Sequence, residues 1–209
     1  MRGKSYRLWI LVVLGLAAAL VLDGPAVALM RDVGFERLKG FRDRDWWQLF
    51  RQVGSVWAWV LVSGALVLHA SGEGGPARQR AMVRSLTPLI AAILGGALAE
   101  VFKMFACRMR PEFAVPPDVW AWASLAEQFP STRGIGMPSS HAATAFGGAW
   151  GLAMLFPRAG LVGLIAAVGC AATRVIAGAH YPSDVYVGAV VGYASAWLVW
   201  TWGVHRSER

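Results

Sequence analysis

Residues 173–184 read TRVIAGAHYPSD. Residues 159–173 before Arg174 are uncharged, and so are residues 185–204 after Asp184. A short polar stretch between two apolar runs reads as the turn joining two membrane-crossing helices. Between residues 141 and 204 the chain carries three charged side chains, Arg158, Arg174 and Asp184, and two of them fall in this stretch. Ionisable groups at membrane depth are costly and by default mark function. Arg174 ends one helix, His180 lies in the turn, and Pro182 suits the first turn of the next helix, with Asp184 close behind. A carboxylate four residues from an imidazole can accept its Nδ1 proton, fixing the tautomer and raising the basicity of Nε2.

Composition extends this reading to the whole chain. Of 209 residues, 56% are hydrophobic and 15% charged, against about 25% charged in a soluble domain, so lipid is the expected solvent. A formal net charge of +8 suits anionic headgroups or anionic substrates. The basic residues lie between apolar spans and form no exposed stripe, so nucleic acid is not an expected partner. Cys107 and Cys170 sit in or beside apolar runs without CxxC spacing, which predicts neither a structural disulfide nor a zinc site.

Six apolar stretches are read as spans, at residues 8–29, 53–70, 85–107, 141–157, 159–179 and 185–204. The expected fold is all-α: a polytopic six-helix membrane bundle in one domain, residues 1–209. A helix needs about 20 residues to cross the hydrocarbon layer, and the fourth and fifth stretches reach that only with their polar ends. The start, MRGKSYR before an apolar run and PAVA, has the layout of a secretory signal, but the run is long and is expected to remain as the first span. Between spans one and two, charges of both signs alternate with Phe35, Leu38, Phe41, Trp46, Trp47, Leu49 and Phe50. That pattern fits an amphipathic helix lying in the membrane interface, or a plain re-entry loop. With a cytoplasmic N-terminus, nine Lys and Arg fall inside and eleven outside, so charge barely decides orientation.

Two further polar clusters lie at the same predicted membrane face. EVFKMFACRMRPEF, residues 100–113, closes the third span, and Lys103 and Arg110, seven residues apart, are expected on one helical face about 10 Å apart along the axis, with Pro111 ending the helix. GMPSSHAATAF, residues 136–146, opens the fourth span. There Ser139 or Ser140 can cap the helix, His141 lies in the first turn, and the free amides suit an anion. Cations and helix amides make a phosphate site, a histidine oriented by an aspartate makes a nucleophile, and a second histidine can act as acid. Glu100 is expected to neutralise Lys103. Asp23 reads as the outer end of the first helix, without a function, and His69 and His205 as solvated interface residues.

KMFACRMRP, PSSH and TRVIAGAHYPSD, in this order and spacing, resemble the three motifs of the type 2 phosphatidic acid phosphatases, which share their site with vanadium haloperoxidases. The resemblance implies that Lys103, Arg110 and Arg174 bind phosphate oxygens with Ser139 and the amide of Ser140. It implies His180 as nucleophile, forming a phosphohistidine, Asp184 holding its ring, and His141 protonating the leaving oxygen and then activating water. It implies no cofactor, no metal and inhibition by vanadate. Two positions depart from the family: Ser140 stands for the usual Gly and Thr173 for the usual Ser. The expected substrate is a lipid phosphate such as phosphatidylglycerophosphate, phosphatidic acid, undecaprenyl diphosphate or lipid A, met at the outer face of a bacterial-type cytoplasmic membrane. Phosphotransfer to a second lipid is the alternative chemistry. Phosphate transport is another, but it leaves the pairing of His180 with Asp184 and His141 unexplained.

Overall fold

The computed structural model describes residues 2–33, 37, 40–72, 74–114, 121–124, 126 and 132–204. Phe35, Leu38, His205 and much of the loop 112–136 lie outside the described residues. Among those described, the regular structure is helical, with two isolated β-bridges joining Arg108 to Trp122 and Met109 to Ile135. The α-helices are α1 (Arg2–Val33), α2 (Asp45–Val53), α3 (Val56–Ala70), α4 (Gly75–Ser85), α5 (Thr87–Ala106), α6 (Ser140–Leu155), α7 (Pro157–Ile176) and α8 (Pro182–Val199). Prolines open several of them, since the first turn has no partner for the missing amide donor. Gly178, at φ +70°, reverses the chain after α7.

Four helical stretches, Tyr6–Val33, Ala77–Ala106, Pro157–Ile176 and Pro182–Gly203, are long and apolar enough to cross a membrane. A fifth crossing results if α2 and α3, bent by 73° at their junction, count as one. The stretch expected as span four is α6, which has 16 residues. That gives roughly 24 Å at 1.5 Å per residue, short of the hydrocarbon layer. The first span runs well past Asp23, through Pro25 to Val33, so Asp23 does not mark a helix end.

The short helix α6 is the hub, packed by α5, α7 and α8. Lipid tails are as apolar as leucine, so helices in a membrane associate by close backbone packing, which small residues permit. The buried residues of α6 are nearly all Ala and Gly. A Cβ on Gly147 would stand 2.6 Å from the carbonyl oxygen of Ala91 in α5, and one on Gly192 of α8 would stand 2.6 Å from that of Ala143. In α2, Trp47 is buried against Ala177 and Ala179 while Trp46 and Leu49 face outward. His69, expected to be solvated, is exposed in the last turn of α3.

Overpacking a close crossing costs about 1–3 kcal/mol. Gly192→Val is therefore expected to lower the melting temperature of the detergent-solubilised protein, whereas Gly64→Ala, where an added Cβ meets nothing within 4 Å, is expected not to. Equal melting temperatures for the two variants would contradict the close approach of α6 and α8.

Candidate active site

The three polar clusters converge where the end of α5, the start of α6 and the α7–α8 turn meet. In the last turn of α5, Lys103 is buried, and its Nζ lies 2.6 Å from Glu100 Oε1 and 3.0 Å from Ser140 Oγ. Glu100 is thus the counter-ion that the sequence suggested, and its other oxygen accepts from Thr132 Oγ1 at 3.1 Å. The helix does not continue to Pro111. Cys107 takes a left-handed conformation, φ 49°, and the chain leaves α5 after Ala106. Lys103 and Arg110 therefore do not share a helical face as expected. The physical reason is an alternative set of backbone partners. Met109 N donates to Ala121 O, Ala123 N to Cys107 O, Gly136 N to Arg108 O and Arg110 N to Gly134 O, at 2.7–3.0 Å, replacing the helical bonds that are lost. Arg110 is brought to the site by this extended segment, with Nε donating to Ile135 O at 3.1 Å.

Ser139 is the N-cap of α6, its side chain accepting from Ala142 N at 3.4 Å, while its own amide donates to the Asp184 carbonyl at 3.0 Å. His141 follows in the first turn. A Cβ on Gly54, at the α2–α3 bend, would lie 2.7 Å from Cys170 Sγ and 3.0 Å from His141 Cβ, so the bend closes directly onto His141.

Arg174 lies in the last turn of α7, while His180, in the turn to α8, and Asp184, in the first turn of α8, are fully buried. His180 Nδ1 is 3.6 Å from Asp184 Oδ2, beyond hydrogen-bond distance. That oxygen accepts from Tyr181 N at 3.0 Å instead, so the expected Nδ1 hydrogen bond is replaced by a carboxylate pinned beside the ring. Among the described residues, His180 Nδ1 and Arg174 Nε are buried without a hydrogen-bond partner. Unsatisfied buried polar atoms are rare and point to a function or a missing ligand.

What pins Asp184 is not apparent from the sequence. Arg108 is fully buried, and its Nη1 donates to Asp184 Oδ1 at 3.1 Å and to Ser183 Oγ at 2.6 Å, while Nη2 donates to Asp23 Oδ2 at 2.8 Å. Asp23 also accepts from Ser183 N at 2.9 Å and from Ser183 Oγ at 2.6 Å. The guanidinium stacks on the Tyr181 ring, 3.9 Å from its centroid. The signal in the sequence is the cost of Asp23 in an apolar run, which demands a buried cation.

Burial, together with the positive charges of Arg174, Arg110 and Lys103, holds His180 well below the ordinary imidazole value of 6.5. His180 is therefore neutral at pH 7, with a lone pair available. All eight residues singled out in the motifs thus come to one region. Lys103 meets Ser140, Ser139 meets Asp184, and His180 feels Arg174, Arg110 and Lys103, while His141 lies within electrostatic reach of Arg174, His180 and Lys103.

Residues 85–208, more than half of the chain, match the family model described as the PAP2 superfamily. The chain belongs to the PAP2 superfamily. It is a phosphoric ester hydrolase of the lipid phosphatase type with membrane helices, as the three motifs implied. It is 28% identical over 196 residues to a lipid A 1-phosphatase of Rhizobium johnstonii, covering 86% of this chain and 71% of that one. It is 26% identical over 175 residues to a lipid A 1-phosphatase of Rhizobium etli, covering 79% and 68%. No solved structure matches this PAP2 chain.

Two measurements check the geometry. Arg108→Met leaves Asp23 and Asp184 buried without their cation, expected to cost about 3–5 kcal/mol as a drop in melting temperature, with Arg108→Lys recovering only part because one ammonium cannot replace the fork. An unchanged melting temperature in Arg108→Met would contradict the network. The His180 ring, followed by ¹⁵N NMR, is expected to stay neutral as pH falls through 6.5, because a lowered imidazole pKa moves protonation to more acidic pH. Half-protonation near 6.5 would contradict the buried, cation-flanked environment.

Proposed function

We propose that this PAP2 protein is an integral membrane phosphatase that hydrolyses a lipid phosphomonoester or diphosphate through a phosphohistidine at His180, without a metal. The observation that carries the reading is a buried His180 with Asp184 3.6 Å from Nδ1 and three cations bearing on it. Lys103, Arg110 and Arg174 neutralise the phosphate oxygens, and the unpartnered Arg174 Nε supplies a donor that a bound oxygen satisfies. Ser139, Ser140 and the first amides of α6 complete the anion site.

In the first step Nε2 of His180 forms a bond to phosphorus while the bond from phosphorus to the lipid oxygen breaks. Asp184 stabilises the positive charge that grows on the ring, and His141, protonated once the bound phosphate's negative charge offsets the surrounding cations, gives its proton to the leaving oxygen. In the second step His141, now neutral, takes a proton from water as the water oxygen attacks phosphorus, and the N–P bond breaks to release phosphate. No proton or electron is left over, and both histidines return to their starting states.

The site is assigned to the outer face of a bacterial-type cytoplasmic membrane, with the N-terminus inside and α6 as a sixth, short crossing surrounded by its neighbours. The helix α2 lies at headgroup depth, with Trp46 outward. The lipid A 1-phosphatases among its relatives support a lipid substrate. Phosphate release from a panel of lipid phosphates by purified protein is expected to persist in EDTA and to fall at least about a thousandfold in His180→Ala. Metal dependence, full activity in His180→Ala, or label passed to a second lipid rather than to water would overturn the assignment.

A further inference from the structure

Beside the phosphate site lies a cavity of about 290 Å³ lined by Arg42, Trp47, Arg51, Arg110, Glu112, Arg174, Ala177 and Ala179. This volume sits at the small end of ligand pockets, suited to a headgroup and not to an acyl or prenyl chain. Two of its arginines, Arg110 and Arg174, belong to the phosphate site described above. The other two, Arg42 and Arg51, come from the segment between α1 and α3, which no motif singled out. Arg42 is held over the end of α7, its Nη2 donating to Ala177 O at 3.4 Å, and Arg51 is exposed at the cavity mouth.

The charge balance asks for a ligand. Four guanidinium groups face one cavity against a single carboxylate, Glu112. Among the described residues none of the four arginines forms an ion pair, whereas Lys103 has one and Arg108 has two. A phosphomonoester dianion is already matched by Lys103, Arg110 and Arg174. Two further guanidiniums, each able to grip two oxygens of a phosphate, exceed what one phosphate needs.

We propose that Arg42 and Arg51 bind a second phosphate group carried on the substrate's headgroup beside the scissile one. The substrate class is then a lipid diphosphate, or a lipid headgroup with two neighbouring phosphates. This rests on the phosphatase reading, and the test separates the two. Purified protein hydrolyses a prenyl monophosphate and the prenyl diphosphate of the same chain length, in mixed micelles. In Arg42→Gln and in Arg51→Gln the ratio of kcat/KM for diphosphate over monophosphate is expected to fall about tenfold or more, the loss of a charged hydrogen bond. Arg51→Lys is expected to keep most of that ratio. Methylenediphosphonate, which is not hydrolysed, gives a reading independent of turnover: its inhibition constant is expected to rise more in Arg51→Gln than that of methylphosphonate. Arg51 is exposed, so its variants fold.

Hydrolysis of both substrates with an unchanged ratio and unchanged diphosphonate inhibition would overturn the second-phosphate site alone. That site is overturned equally if Arg51→Gln instead removes a dependence on anionic lipid shared by both substrates, which would make these arginines bilayer contacts. Failure of the unaltered protein to hydrolyse either substrate would overturn the phosphatase reading, and this site with it.

Discussion

A buried guanidinium facing two buried carboxylates, Arg108 against Asp23 and Asp184, connects the first helix to the turn that carries His180. Taking such charges out of water costs several kcal/mol per ion, and attraction repays it only when the remaining donors and acceptors are also matched. Here they are. Ser183 gives Asp23 both an amide and a hydroxyl hydrogen bond, Tyr181 N serves Asp184, and the Tyr181 ring covers the guanidinium face. One cation for two carboxylates leaves an excess of negative charge behind His180. On the mechanism proposed above, that charge favours a ring that becomes positive when Nε2 bonds to phosphorus.

The network also ties the parts of the site to one another. Asp184 is fixed at its side chain by Arg108 and Tyr181, and at its carbonyl by the amide of Ser139, which caps α6. A Cβ on Gly136 would stand 2.7 Å from Asp184 Oδ2, so the loop preceding the second motif presses on the same carboxylate. The start of α6 and the His180 turn are thus set relative to each other by one residue. Close packing of α6 by α5 and α8 through Gly147 and Gly192 carries Lys103 to the same place. Rigid placement of this kind is what positioning for phosphoryl transfer requires.

Much of this is legible in the sequence, and the reasons are physical. Charges in an apolar context are expensive, so Lys103, Arg174 and Asp184 stand out, and Pro182 and Ser139 mark helix starts by their backbone chemistry. The break at Cys107 is hidden, because left-handed helix ends are usually signalled by Gly or Asn and this one has neither. Arg108 resembles one more basic residue at a helix end. Its pairing with Asp23 crosses 85 positions of sequence, and no periodicity encodes such a distance. The number of crossings is blurred by α6, whose 16 residues are fewer than a lone span needs and which is enclosed by its neighbours. Arg42 and Arg51 belong to an interfacial pattern in the sequence, since only the folded chain brings them beside Arg110 and Arg174.

The claim on which the rest converges is that His180 takes the phosphoryl group. The direct measurement is rapid acid-free quenching of the protein during turnover of p-nitrophenyl phosphate, with mass spectrometry of the labelled peptide. The good leaving group removes the need for a proton from His141, so His141→Ala should form the phosphoenzyme and lose it slowly. A phosphoryl group on His180, accumulating in His141→Ala and absent from His180→Ala, is the expected result. A phosphoryl group on another side chain, or turnover that continues in His180→Ala, would contradict it.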